Sequence, residues 1–197
     1  MHRILKWLGS KPAVAIILRK VVELNFRKEK AAIREFLLPL KEGDAVLDIG
    51  CGTGEFAPLL PIAQYTGIDI DPKNIAYAKA HYPHQFEVAD GTRLPFQDKS
   101  FSVALIVGVL HHLSDADCGK VLREMKRVLK PLGRVLIMED THSAQFLVRW
   151  LQSVDQGAHI RDFREWQTLI SRHFSITASG TFTNGLACYS YFFINIP

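Results

Sequence analysis

A chain of 197 residues fits one domain and can bury about 70% of its unfolded surface, so an autonomous hydrophobic core is expected. Hydrophobic content of 48% and charged content of 22% exclude a disordered or fibrous chain. The net charge of +4 is concentrated in residues 1–41, where ten Lys and Arg face three Glu; the remainder holds 14 basic against 17 acidic residues and is net −3. The apolar run Ala13 to Leu18 is far short of the roughly 20 residues that span a bilayer. Lys11, Pro12, Arg19 and Lys20 around it do not make a secretory leader. Three cysteines, Cys51, Cys118 and Cys188, are odd in number and lack C-x-x-C spacing, which points to a reducing, cytoplasmic setting with neither disulfide nor structural metal.

Residues 1–40 read as basic amphipathic helices, an arm of the same domain that continues over 41–197. The pattern breaks at Gly9, Ser10 and Pro12, then resumes with Val14, Leu18, Val21 and Val22, and a second stripe of Ala32, Ile33, Phe36 and Leu37 runs to Pro39. Such an arm either packs on the body and partly covers a ligand, or lays residues 1–28 with Trp7 on an anionic membrane surface. Nucleic acid is the weaker reading, since only Trp7 and Phe26 offer aromatic partners and no recognition motif is present.

Val46 to Phe56 reads VLDIGCGTGEF, an apolar strand turning into Gly50, Gly52 and Gly54. Glycines belong where the turn takes backbone angles that a Cβ forbids and where a ligand touches the main chain. The dinucleotide fingerprint wants a small residue five positions after the first glycine, and Glu55 stands there. A carboxylate at Asp48 repels a pyrophosphate and suits a ligand with a cationic amine. A short helix is expected over Glu55 to Leu60, with Pro58 inside it and Pro61 ending it. The next strand, Tyr65 to Ile70, ends with Asp69 nineteen residues after Gly50, close to the interval of about 20 at which an acid meets a ribose diol. Asp71 and Pro72 start the following helix as cap and first residue.

Gln85 to Val88 is a third strand, followed by ADGTRLPFQDKSF. Phe101 to Val107 is almost wholly apolar, hence buried on both faces, and leads into VGVLHHL. A helix over Asp115 to Leu129 precedes a fifth strand, Arg134 to Glu139, across a turn with one glycine, Gly133. Helices are expected around Ser143 to Val154 and Asp162 to Ser171, then closing strands over Phe174 to Ala178 and Tyr189 to Ile196, with an uncharged loop over Ser179 to Leu186. Strand and helix alternate from 45 to about 140, so a doubly wound, mostly parallel α/β sheet is the natural solution.

VLDIGCGTG, GIDIDP and D-x-x-x-L-P-F-x-D-x-S-F at Asp90 to Phe101 together resemble the class I S-adenosylmethionine-dependent methyltransferases, in the subgroup that includes quinone-ring and other small-molecule enzymes. That resemblance implies seven strands in the order 3-2-1-4-5-7-6 with strand 7 antiparallel. It implies S-adenosylmethionine as cofactor and S-adenosylhomocysteine as product. Implied cofactor-binding residues are Asp48, Gly50, Cys51, Gly52, Gly54, Asp69, Ile70, Asp90, Gly91, Thr92 and Val107, with Asp69 on the ribose and Asp90 on the adenine amino group. The acceptor implied is a small molecule, lipid- or quinone-like in one version. His112, His142 and Arg161 are candidates to face it, because they follow the fourth and fifth strands. Side-by-side histidines do not have helical metal-ligand spacing, so no metal is expected. Two alternatives stay open: a cofactor-binding module without catalysis, and an RNA or protein methyltransferase, for which the usual N-P-P-Y run after strand four is replaced by VGVLHHL.

Overall fold

A computed structural model describes residues 20–21, 24–142 and 159–197. Its strands β1 (Val46–Ile49), β2 (Tyr65–Asp69), β3 (Gln85–Val88), β4 (Phe101–Val107), β5 (Leu129–Asp140), β6 (Ala178–Asn184) and β7 (Ala187–Asn195) form a seven-stranded sheet in the order β3-β2-β1-β4-β5-β7-β6. The first five strands pair in parallel, and β7 runs antiparallel to both β5 and β6. This is the doubly wound arrangement expected from the alternation and the resemblance.

The sheet separates two cores because its inner strands are apolar on both faces. Leu47, Ile49, Ala104, Ile106, Val135 and Ile137 face helices α3 (Asp115–Val128) and α4 (Phe163–Ser171). Val46, Val103, Leu105, Leu136 and Met138 face helix α1 (Arg27–Leu37), where Ile33 and Leu37 are fully buried. Helix α2 (Pro72–His81) connects β2 to β3. The starts of these helices are written in the sequence. Asp71 accepts from Lys73 N ahead of Pro72, Ser114 accepts from Asp117 N, and Asp162 and Glu165 form a reciprocal capping box.

Several elements depart from expectation for local reasons. Instead of a helix over Glu55 to Leu60 there are two 3-10 turns, Ala57–Leu59 and Ile62–Gln64. Pro58 and Pro61 lack the N–H groups that an α-helix would use there. β5 begins at Leu129, earlier than expected, with a register shift against Phe101 and Val103. In the turn before its regular part, exposed Leu132 takes a φ of 61° that a second glycine would have taken without strain. The supposed loop Ser179 to Leu186 is mostly β6, and the turn is only Gly185 and Leu186. Thr and Phe alternate there as on an edge strand, and the absence of charge reflects pairing with β7. The helices expected over residues 1–19 and Ser143 to Val154, and most of the arm proposed for a membrane, lie outside the described residues. No helix among the described residues is long and apolar enough to cross a membrane.

Candidate functional site

The carboxyl ends of β1 to β4 meet at one edge of the sheet. Gly50 N and Cys51 N donate to Ile68 O at 2.7 and 2.8 Å, which folds the glycine loop against β2. Gly50 has a φ of 74°, and an added Cβ would lie 2.3 Å from Val109 Cγ2, so the strand after β4 can approach only a glycine. Gly52, at a φ of 54°, has nothing among the described residues within 4 Å of where its Cβ would be. The described residues leave that side open, which is the cradle that a ligand touching main chain requires.

Asp69 closes that cradle from β2. Its Oδ2 accepts Gly52 N at 2.9 Å, and Oδ1 accepts Asp71 N at 2.8 Å. Asn74 Nδ2 also donates to Oδ1 at 3.4 Å, so the lone pair kept for a ligand hydroxyl is on Oδ2. Ile70 beside it is 70% exposed, an apolar surface with no cover among the described residues. After β3, Ala89 N donates to Asp69 O, which brings Asp90 to the same edge. Thr92 N and Thr92 Oγ1 both donate to Asp90 Oδ1 at 2.8 Å, so the Oδ2 side points away from this turn. Gly91 sits against Ile49, and Val107, 6% exposed, ends β4.

Asp48 is placed differently from an open carboxylate. It is 1% exposed, and Tyr65 donates its hydroxyl to Asp48 Oδ2 at 2.7 Å. Burial pushes its carboxyl up to about 7; the Tyr65 hydrogen bond opposes this and the Asp69 charge adds to it. Cys51 is buried as well, and burial raises its thiol so far that it has no thiolate character.

The segment Leu94 to Asp98 is held from behind. Arg127 donates to Leu94 O at 3.0 Å, Phe96 O at 2.8 Å and Asp98 Oδ1 at 2.7 Å, and Glu124 accepts Leu94 N at 2.8 Å. The L-P-F-x-D pattern is therefore a clamp for the loop after Asp90. Arg127 and Glu124 escaped the sequence reading, since a charge pair at i and i+3 on a helix ordinarily signals only a solvated face.

Beyond β4, His111 and His112 take different roles. His112 is exposed on a 3-10 turn, Leu110–His112, with its ring 4.0 Å from that of His111. His111 is buried, and its Nδ1 meets Glu139 Oε2 at 3.0 Å. Glu139, fully buried near the end of β5, also accepts the N–H groups of Val109, Leu110 and His111 at 3.0, 2.8 and 3.2 Å. The signal for Glu139 was its position, a carboxylate closing the apolar run VLIM. His142 is exposed just past β5.

Arg161 corrects an expectation. Its guanidinium is 8% exposed and is spent on the chain itself: Asp115 Oδ1 at 2.6 Å, His159 O at 2.8 Å and Leu113 O at 3.0 Å, with Trp166 beneath it at 4.6 Å. An arginine so occupied ties α4 to the loop after β4 and has no donor turned outward to an acceptor.

Comparison with known proteins bears on this edge. A protein-family model described as a methyltransferase domain matches residues 47–137. The 27-O-demethylrifamycin SV methyltransferase of Amycolatopsis mediterranei is 40% identical over 111 residues, 51% of this chain and 40% of that one. A probable tRNA methyltransferase 9B of Mus musculus is 34% identical over 106 residues, 53% of this chain and 24% of that one. The chain thus spans less than half the length of these curated relatives. Among solved structures, a SAM-dependent methyltransferase of Methanosarcina mazei superposes with a TM-score of 0.68 at 21% identity, over 84% of this chain and 96% of that one, a likeness of fold.

Proposed function

We propose that the chain, whose residues 47–137 match a family model described as a methyltransferase domain, transfers a methyl group from S-adenosylmethionine to a small-molecule acceptor, as a class I enzyme would. The observation that carries the reading is the cradle at Gly52, open on its ligand side and flanked by Asp69 and Asp90. These residues fit the cofactor: Asp69 would accept from ribose hydroxyls, Asp90 from the adenine amino group, and Ile70 would pack on an apolar ring face. When bound, the cofactor supplies an electrophilic methyl group on a sulfonium, with a neutral thioether as leaving group.

What remains for the chain is orientation and exclusion of water. Holding two reactants in line is worth several kcal/mol, about 7–11 at the limit. The turn Val109 to His112, anchored on Glu139, forms one wall of that space and carries exposed His112. His112 takes the acceptor's proton in this reading, its imidazole serving as general base; His142 is the alternate. The 40% identity to an enzyme named for a rifamycin acceptor supports a small molecule, and a lipid- or quinone-like one is the version that a basic arm would serve. The second reading, an RNA acceptor, rests on the tRNA-directed relative.

Calorimetric titration with S-adenosylhomocysteine tests the cofactor site: Asp69→Asn and Asp90→Asn are each expected to weaken binding about tenfold or more. Transfer of tritiated methyl to a small-molecule extract, run beside bulk tRNA, tests the acceptor. Label confined to the RNA fraction would exchange the first reading for the second, and absence of binding would end both.

A further inference from the structure

The outer face of α3 and the end of α4 carry a group of cations that the cofactor edge does not use. Arg123 lies about two turns into α3, Arg172 and His173 follow α4, and Lys126 donates its Nζ to His173 O at 3.1 Å. Gly119, buried inside α3, lets these groups meet: a Cβ there would stand 3.3 Å from Arg123 Nη1 and 3.5 Å from His173 Nε2. The guanidinium and the imidazole thus overlie one small spot. A glycine in mid-helix leaves that spot open at a cost of about 1 kcal/mol against Ala. Because β7 is antiparallel to both β5 and β6, β6 runs with β5, and α4 crosses from the carboxyl end of β5 toward the start of β6. The cations therefore sit near the amino ends of the strands, away from Gly52, Asp69 and Asp90.

Among the described residues no hydrogen bond or ion pair engages the side chains of Arg123, Arg172 or His173. The acids nearby already have partners: Asp117 meets Lys120 at 2.8 Å, Glu124 and Asp98 each meet Arg127 at 2.7 Å, and Asp115 meets Arg161 at 2.6 Å. Further up α4, Arg164 shares a cleft with Asp162 and Glu165, which close the capping box. His173 shows the consequence: burial, and then the charges of Arg123, Lys126 and Arg172, hold its imidazole below the usual histidine range. An anion placed among these groups relieves their mutual repulsion. The unopposed charge is confined to one spot, since Lys120, Arg127 and Arg161 around it are neutralised, so it suits one compact anion rather than a long phosphate chain. No exposed large apolar side chain among the described residues lies on α3 or α4, so a lipid surface would find nothing there to bury.

We propose that Arg123, Arg172 and His173, with Lys126 beside them, form a binding site for a phosphate group of a soluble ligand, a monoester or a diphosphate. The two guanidinium forks donate to phosphate oxygens, whose spacing matches their planar geometry, and the His173 imidazolium donates from Nε2. Lys126 adds its charge from a fixed place on His173 O. No covalent bond forms or breaks; where His173 was neutral, it takes one proton from the buffer as the anion arrives. The site lies apart from the methyl-transfer edge and does not depend on the reading of the preceding subsection.

The test uses the whole protein. Nuclear magnetic resonance follows the His173 ring through its titration in sulfate, a tetrahedral dianion whose own charge is constant over that range, against chloride at equal ionic strength. The midpoint is expected to rise by about one pH unit in sulfate, as for a base given an opposite charge at contact distance. Equal midpoints in the two salts would overturn the site. Calorimetry with inorganic pyrophosphate is run at about pH 6, where a histidine is still partly protonated. Arg123→Gln and Arg172→Gln are each expected to weaken that binding about tenfold. Lys120→Gln removes the same charge from the same helix and is expected to change it less than about twofold. A similar loss in all three variants would reduce the cluster to diffuse positive charge and overturn the proposal. Vesicles of phosphatidic acid in phosphatidylcholine, and bulk tRNA, present phosphate from other sources, and any binding to them is expected to be unchanged by Arg123→Gln. Binding to either that exceeds pyrophosphate and is lost in Arg123→Gln would give the site to a lipid surface or to RNA and overturn the soluble ligand. S-Adenosylhomocysteine affinity is expected to stay within about twofold in every variant, as for distant sites; a tenfold loss there would overturn the separateness of the site. Failure of the parent protein to bind S-adenosylhomocysteine, with the pyrophosphate results intact, would end the cofactor reading alone.

Discussion

Asp48 retains its proton over a range of pH in which the same side chain in an unfolded chain has lost it. Its carboxyl stands near 7 in the fold, against about 4 in the open chain. Between those values the native state binds more protons than the unfolded one, so stability falls as pH rises from about 4 to about 7 and is level above that. An Asn at this position still accepts from the Tyr65 hydroxyl and carries no charge. Asp48→Asn is therefore expected to match or slightly trail the parent below about pH 4 and to exceed it above pH 7 in the absence of ligand. The ceiling is about 4 kcal/mol, from three pKa units. Urea midpoints measured across that range would decide it; curves that stay parallel from acid to neutral would show the carboxyl does not titrate as described. From the sequence, Asp48 reads as a carboxylate that would repel a pyrophosphate and suits a ligand with a cationic amine. Its seclusion was not, since that depends on Tyr65 reaching over Gly67, a contact between neighbouring strands.

Helix α4 is joined to the sheet by its buried Trp166, which donates to Asp140 O of β5 at 3.0 Å, and just ahead of the helix buried Arg161 bridges Asp115 at the start of α3 and the carbonyls of Leu113 and His159. Asp115 is 67% exposed, so the loss lies in the carbonyls: shortening that fork to an ammonium strands buried acceptors such as Leu113 O, at about 1–3 kcal/mol each. Arg161→Lys is expected to lower stability by about 2–4 kcal/mol while S-adenosylhomocysteine affinity stays within about threefold. Denaturant midpoints and calorimetry read the two effects separately. A large loss of transfer activity with stability intact would return Arg161 to the acceptor. The same lesson holds for the elements themselves. Helices α2, α3 and α4 were legible to within a residue because Asp71 with Pro72, Ser114, and Asp162 with Glu165 declare their starts locally. The segment after the glycine loop was misread as a helix because apolar residues around Pro58 and Pro61 suit a buried turn equally well.

The described part of the N-terminal arm is integrated with the far end of the chain. Glu29, fully buried on α1, is bound by Asn184 at the tip of the β6–β7 hairpin, and Phe36 stacks on Phe193 at 5.1 Å. Arg134 adds a bond to Leu37 O at 3.0 Å and an ion pair with Asp44 at 3.2 Å. Asn184→Ala leaves a buried carboxylate short of a donor and is expected to cost about 2–3 kcal/mol. The measurement is a shift in denaturant midpoint with an unchanged slope; no shift would mean that arm and hairpin are energetically separate. By itself the sequence determined the alternation of strand and helix that makes β1 to β4 parallel, the glycine loop and the two acids at the strand ends, since period, spacing and caps are local properties read within a few residues, while the strand order came from the family resemblance. Tertiary structure alone decided that Asp48 is sealed by Tyr65, that Glu139 anchors the histidine turn, that Arg161 is a structural tie and that the uncharged run before Gly185 is a strand. Each of those depends on a partner brought from a distant part of the chain, and in a sequence such a partner looks like any other apolar or charged residue.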